Sequence, residues 1–229
     1  SNTYDLDNVQ ESFRALSLQF KDEKYEQLIK NASVFTARFP YSEKVAQVEL
    51  YTADSHFALG EYIEAIIVYE QFSKIHTRHP KRAYALYQIG KCYWLDSSEE
   101  PSRDQDFTHK AIAAWEKYLS EYPKDILITD ARSSIKKAYE RIARSYHFVA
   151  DYYCKMKRWH SCALRMEKLI LSDIEYPLEL KKQTYKKAAY ALEKLVEADS
   201  EEENIYTQKY SKNDILQKSR TLRKISESF

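Results

Sequence analysis

Residues 46–80 read AQVELYTADSHFALGEYIEAIIVYEQFSKIHTRHP. Leu50, Ala53 and Phe57 recur three and four apart, which places them on one face of a helix. Gly60 interrupts the run. Ile63, Ile66, Tyr69, Phe72 and His76 then step by three and four again, and Pro80 stands where a helix cannot continue. The stretch predicts two amphipathic helices joined by a tight turn. One such hairpin cannot bury its apolar stripes alone, so it needs copies of itself to stack on.

The rest of the chain supplies them. Four of the five prolines follow an aromatic ring (Phe39-Pro40, His79-Pro80, Tyr122-Pro123 and Tyr176-Pro177), at intervals of 40, 43 and 54 residues. Each is expected to close the second helix of a hairpin, with the ring packed back under the turn. The intervals exceed the roughly 34 residues of a standard tetratricopeptide repeat. The spacing Gly60-x-Tyr62-x-x-Ala65 ahead of a proline nevertheless has that repeat's pattern, with small residues where helices touch and an aromatic knob between them.

In repeat one, about Asn8 to Pro40, Phe13, Leu16 and Phe20 mark the first helix and Leu28, Ala32 and Phe35 the second; Tyr25 stands where Tyr62 stands in repeat two. Repeat three opens with Arg82 to Leu95. Its Gly90 costs about 1 kcal/mol relative to Ala inside a helix, which a close helix approach can offset. A polar insertion, 96–106, follows, and Asp106 is expected to cap a helix running to Tyr122. A long helix from Ile128 to Lys155 and a shorter one from Trp159 to Ser172 account for the widest interval. A fifth hairpin begins near Leu178. The acidic run Asp199 to Glu203 is expected to cap a further helix, and the basic tail 211–229 reads as a terminal cap or a frayed end. The expected fold is all-α, a superhelical stack of about five tetratricopeptide-type helical hairpins forming a single domain over 1–229.

Composition agrees. Of 229 residues 44% are apolar, enough for a sizeable core, and two glycines are too few for hairpin-built β architectures. With 36 basic against 35 acidic side chains there is no global pull toward nucleic acid, so no nucleic-acid partner is expected. No run of about 18 apolar residues spans a bilayer. The opening Ser1-Asn2 reads as a remnant of expression, so a trimmed N-terminus is expected.

The search for chemistry ends in binding. No Gly-rich phosphate loop, GxSxG or HExxH occurs. His76-x-x-His79 puts two imidazoles one turn apart but lacks the further ligands a metal needs, so no metal and no cofactor is expected. Asp104 and Asp106 read as loop and cap residues. Cys92, Cys154 and Cys162 fit no zinc spacing and are read as buried thiols, with a Cys154–Cys162 bridge left open because both flank a helix–helix turn. Cys154 beside His160 is read as core, not as a nucleophile and base. Twenty tyrosines on a helical stack suit peptide binding, since Tyr offers rigid area and a polar tip. No catalytic residue is assigned.

One block is more specific. Ser102-Arg103-Asp104-Gln105-Asp106, Tyr122-Pro123, Thr129-Asp130-Ala131, the long helix ending in Val149-Ala150-Asp151-Tyr152-Tyr153, and Trp159 followed by Arg165 resemble the BamD lipoproteins of the β-barrel assembly machine in Gram-negative outer membranes. Arg38-Phe39-Pro40-Tyr41-Ser42 and His79-Pro80 also look like that family's repeat ends, and the resemblance covers about residues 8 to 195. It implies five tetratricopeptide repeats and a non-enzymatic scaffold, lipid-anchored at the periplasmic face of the outer membrane by an N-terminal Cys not in this sequence. It implies N-terminal repeats, 8–125, that recognise unfolded outer-membrane proteins, with Tyr25, Tyr51, His56 and Tyr62 as candidate groove residues. The C-terminal repeats, 126–229, would dock the POTRA region of BamA through Arg165, with Trp159 and Arg158 beside it; other assembly-machine lipoproteins are possible partners. Arg suits that task because its planar fork holds a carboxylate bidentately. The competing reading is a generic tetratricopeptide adaptor that binds another protein's peptide or helix in periplasm or cytoplasm.

Overall fold

The structure, a computed structural model, describes residues 9–198 and 204–229. Among them are eleven helices and no strand. The chain divides into two compact units. One is formed by residues 1–97 and 106–135, the other by 98–105 and 136–229.

The N-terminal unit holds α1 (Val9–Lys21), α2 (Tyr25–Arg38), α3 (Val45–Ala58), α4 (Tyr62–Ile75), α5 (Arg82–Asp96) and α6 (Asp106–Glu121), each packed on the next within its unbroken runs, α1 to α5 and α5 to α6. The expected stripes are buried: Leu16, Leu28 and Phe35 in the first hairpin, Leu50, Ala53, Tyr69 and Phe72 in the second. Each large side chain so buried contributes about 1.5–3 kcal/mol. Ile63 departs from the expected stripe and is 43% exposed, because Ala65 and Ile66 turn the buried face of α4 away from it. On α6, Leu119 lies half-buried beside the fully buried Trp115 and Tyr118.

Phe39, His79 and Tyr122 close their helices alike. The carbonyl of each accepts from the amide three residues on (3.0, 3.0 and 3.1 Å), a turn whose second position is the proline. The rings pack back on Phe35, Phe72 and Tyr118. Tyr176-Pro177 differs from this expectation. The helix α8 (Trp159–Ile170) has already ended, and Pro177 instead caps the start of α9 (Leu178–Glu197), where its fixed φ suits helix entry.

Gly90 on α5 lets the Trp115 ring lie where a Cβ would stand, at 2.5 Å, so the close approach expected of it is realised. Tyrosine–carboxylate bonds fasten the same unit. Asp54 accepts from Tyr69 and from Tyr84 (2.8 Å), and Asp130 accepts from Tyr87. Burial pushes the Asp54 carboxyl up, against the pull of its two hydroxyl donors. Of the two neighbouring histidines, His76 pairs with Glu49 at 2.6 Å and His79 accepts from the Lys81 amide at 3.0 Å.

The C-terminal unit contains the greater part of α7 (Ile128–Lys155), then α8, α9, α10 (Ile205–Lys209) and α11 (Lys212–Glu227). The inserted loop belongs to it. Gln105 donates to the carbonyls of Ser98, Glu100 and Arg103, and Ser145 of α7 donates to that of Pro101 at 2.9 Å. Asp106 lies inside the first turn of α6, where it pairs with Lys110, and not one residue before it. The basic tail is a docked helix: Arg223 of α11 grips Glu193 of α9 at 2.6 and 2.7 Å, and Ser211 caps the helix start. The expected cap at 199–203 lies outside the described residues.

Candidate functional site

Three of the turns between a first and a second helix share one backbone. Glu23, Gly60 and Lys157 adopt positive φ, at 57°, 76° and 57°. Around each, one amide donates three residues back and the next donates five back. The pairs are Glu23 to Phe20 (3.1 Å) with Lys24 to Gln19 (2.9 Å), Gly60 to Phe57 (3.0 Å) with Glu61 to His56 (2.9 Å), and Lys157 to Cys154 (3.0 Å) with Arg158 to Tyr153 (2.9 Å). This double closure satisfies the last helical carbonyls and favours glycine at the left-handed position.

The turns deliver the candidate residues to equivalent places. Tyr25, Tyr62 and Trp159 each stand two residues after the left-handed position and open the following helix. Tyr25 meets Phe20 edge-on at 6.0 Å, and Tyr62 meets Phe57 edge-on at 5.7 Å. In the third turn Cys154 takes the place of those phenylalanines and is bonded to Cys162. Two of the three cysteines are thus joined and not free thiols, which also removes Cys154 from any pairing with His160. Cys92 is free and buried, and burial pushes its thiol up to about 12.

Tyr51 of α3 stacks on Phe20 at 4.7 Å and on Phe13 at 6.2 Å. His56 donates to Glu61 at 2.6 Å across the α3–α4 turn. The four N-terminal candidates therefore fall into two sets, Tyr25 with Tyr51 and His56 with Tyr62. No ring contact or hydrogen bond among the described residues joins one set to the other.

In the C-terminal unit Arg158 and Arg165 lie seven positions apart, two helical turns, and so share a side of α8. Trp159, the first residue of α8, meets Tyr190 of α9 edge-on, with centroids 5.9 Å apart. Arg165 lies over the Tyr146 ring of α7 at 4.1 Å. Its Nε is buried without a hydrogen-bond partner, and no carboxylate of the described residues pairs with it. Ring and guanidinium meet only once α7 and α8 have folded back on each other. Nearby, His147 donates from Nε2 to Thr184 at 2.8 Å and accepts from Lys187 at Nδ1, 2.9 Å. Burial first, and then the neighbouring Lys187 charge, push its imidazole down to about 4.

Known proteins resemble this chain over most of its length. It is 25% identical over 194 residues, 79% of this chain and 73% of the relative, to the outer membrane protein assembly factor BamD of Neisseria gonorrhoeae. Proteins of the same name are 24% identical over 147 residues in Rickettsia prowazekii and 21% over 150 in Vibrio cholerae, covering 64% and 62% of this chain and 58% and 62% of theirs. No described helix is long and apolar enough to cross a membrane. The family model YfiO, outer membrane lipoprotein, matches residues 7–205, and the chain belongs to that family.

Proposed function

We propose that this chain is a non-enzymatic scaffold in the assembly of outer-membrane β-barrel proteins, held by an N-terminal lipid at the periplasmic face of the outer membrane. In this reading the C-terminal unit docks the POTRA region of BamA through Arg165, and the N-terminal unit receives unfolded outer-membrane proteins.

The observation that carries it is the state of Arg165. Its guanidinium rests on the Tyr146 ring and has no carboxylate of its own among the described residues. With Nε buried and the fork held on the ring, its terminal amino groups are the donors for an acid from outside. Family membership and the assembly-factor name of the relatives support the process. The Cys154–Cys162 bridge supports an oxidising compartment, because such bonds persist outside the reducing cytosol.

Titration of the purified chain with a POTRA region tests this. Arg165→Glu is expected to weaken binding by at least about tenfold, as truncated or reversed interface charges do. Equal affinity would remove Arg165 from the interface.

A further inference from the structure

A cleft of about 340 Å³ opens in the N-terminal unit between α4 and α6. Its size is that of a small recognition pocket, and none of the candidate groove residues named above lines it. Helical spacing builds it. Leu86, Ile89 and Tyr93, one face of α5, form the floor. Ala113 and Ala114 of α6 keep one wall low, since neither carries a side chain beyond Cβ.

The rim is cationic. Lys74 of α4 and Lys110 and Lys117 of α6 line it together with Arg82, against Glu70 as the one carboxylate among the lining residues. Arg82 is committed to Glu121, and Lys110 to Asp106. Lys74 and Lys117 are exposed and make no ion pair among the described residues. The Tyr93 hydroxyl makes no hydrogen bond among them either, which leaves a polar tip at the end of an apolar floor.

We propose that this cleft docks a short acidic, amphipathic segment of a partner polypeptide, with one apolar side chain on the floor and carboxylates against Lys74 and Lys117. Length decides between a polypeptide and an acyl chain. Leu86 to Tyr93 spans two helical turns, about 10 Å at 1.5 Å per residue, and Lys110 to Lys117 spans the same. A two-turn segment fits that span, whereas an extended acyl chain of sixteen carbons is roughly twice as long. Opposite charge on the rim then orients the segment and speeds its encounter.

Fluorescence anisotropy with the whole chain tests this, using a labelled synthetic peptide of Glu and Leu at helical spacing. Wild-type protein is expected to bind it, and Lys74→Glu with Lys117→Glu to weaken binding by about tenfold or more. Ala113→Trp, at an exposed position, plugs the cleft without changing charge and is expected to weaken binding similarly. Circular dichroism establishes that both variants fold. Three results would overturn the proposal: no binding of the peptide, undiminished binding by folded variants, or equal binding when Ser replaces Leu or Lys replaces Glu. Lysine-dependent binding of myristate or of phosphatidylglycerol vesicles with no binding of the peptide would assign the cleft to a lipid instead.

Discussion

The α3–α4 turn of the N-terminal unit and the α7–α8 turn of the C-terminal unit follow the same path with different fastenings. At the first, Gly60 occupies the left-handed position without strain, and Phe57 against Tyr62 closes the hairpin. At the second, Lys157 occupies it, at a cost of roughly 1–2 kcal/mol for a residue with a Cβ, and a disulfide takes the place of the ring pair. The ring contact tolerates relaxation between its helices. The covalent bond does not, and it fixes α8, which carries Arg165 and has Arg158 at its N-cap, to the helix that carries Tyr146. A pre-set surface suits the docking proposed for the C-terminal unit, because rigidity lowers its ordering cost.

The largest effect should come from cutting that fastening. Cys154→Ser with Cys162→Ser opens a loop of sequence separation 8, which loop-closure entropy values at about 2–3 kcal/mol. Urea unfolding should show the loss in the C-terminal unit and leave protection of the N-terminal helices in hydrogen exchange unchanged. Equal loss in both would mean that the bridge is not a local fastening.

Acid should separate the units next. His147 is held neutral when folded but accepts a proton near pH 6.5 when unfolded, so the unfolded state binds more protons between these values. Stability of the C-terminal unit should be full above about pH 6.5, fall as pH drops toward about 4, and level off below. After discounting for partial solvation the fall is on the order of 2 kcal/mol. His147→Gln, which keeps a donor to Thr184, should flatten it.

The smallest effect sharpens the comparison at the turns themselves. Lys157→Gly and Glu23→Gly should each stabilise by up to about 1 kcal/mol, and Gly60→Ala should destabilise by about as much, read as shifts in the urea midpoint. Lys157→Gly without gain would mean that the disulfide, and not the backbone, sets that turn.

Much of this was legible in the sequence because helical order is local. Periodicity placed α7 at its observed bounds, and aromatic-Pro pairs marked three of four repeat ends. What stayed hidden depends on residues far apart in the chain. The bonds from Tyr69 and Tyr84 to Asp54 span 15 and 30 positions, and Arg165 meets Tyr146 only once two helices have folded back on each other. The left-handed turns at Glu23 and Lys157 carry no glycine to announce them. Among the candidate residues, the sequence already matched Tyr25 with Tyr62, while the equivalence of Trp159 to both emerges only from the shared turn.

The central claim is that Arg165 presents its charge to an acidic partner in outer-membrane protein assembly. Charge exchange across the interface tests it most directly. Arg165→Glu in this chain should weaken POTRA binding by at least about tenfold, and a matching acid-to-Arg change in the POTRA region should restore it. Undiminished binding by Arg165→Glu, with α8 folded and the disulfide formed, would contradict the account.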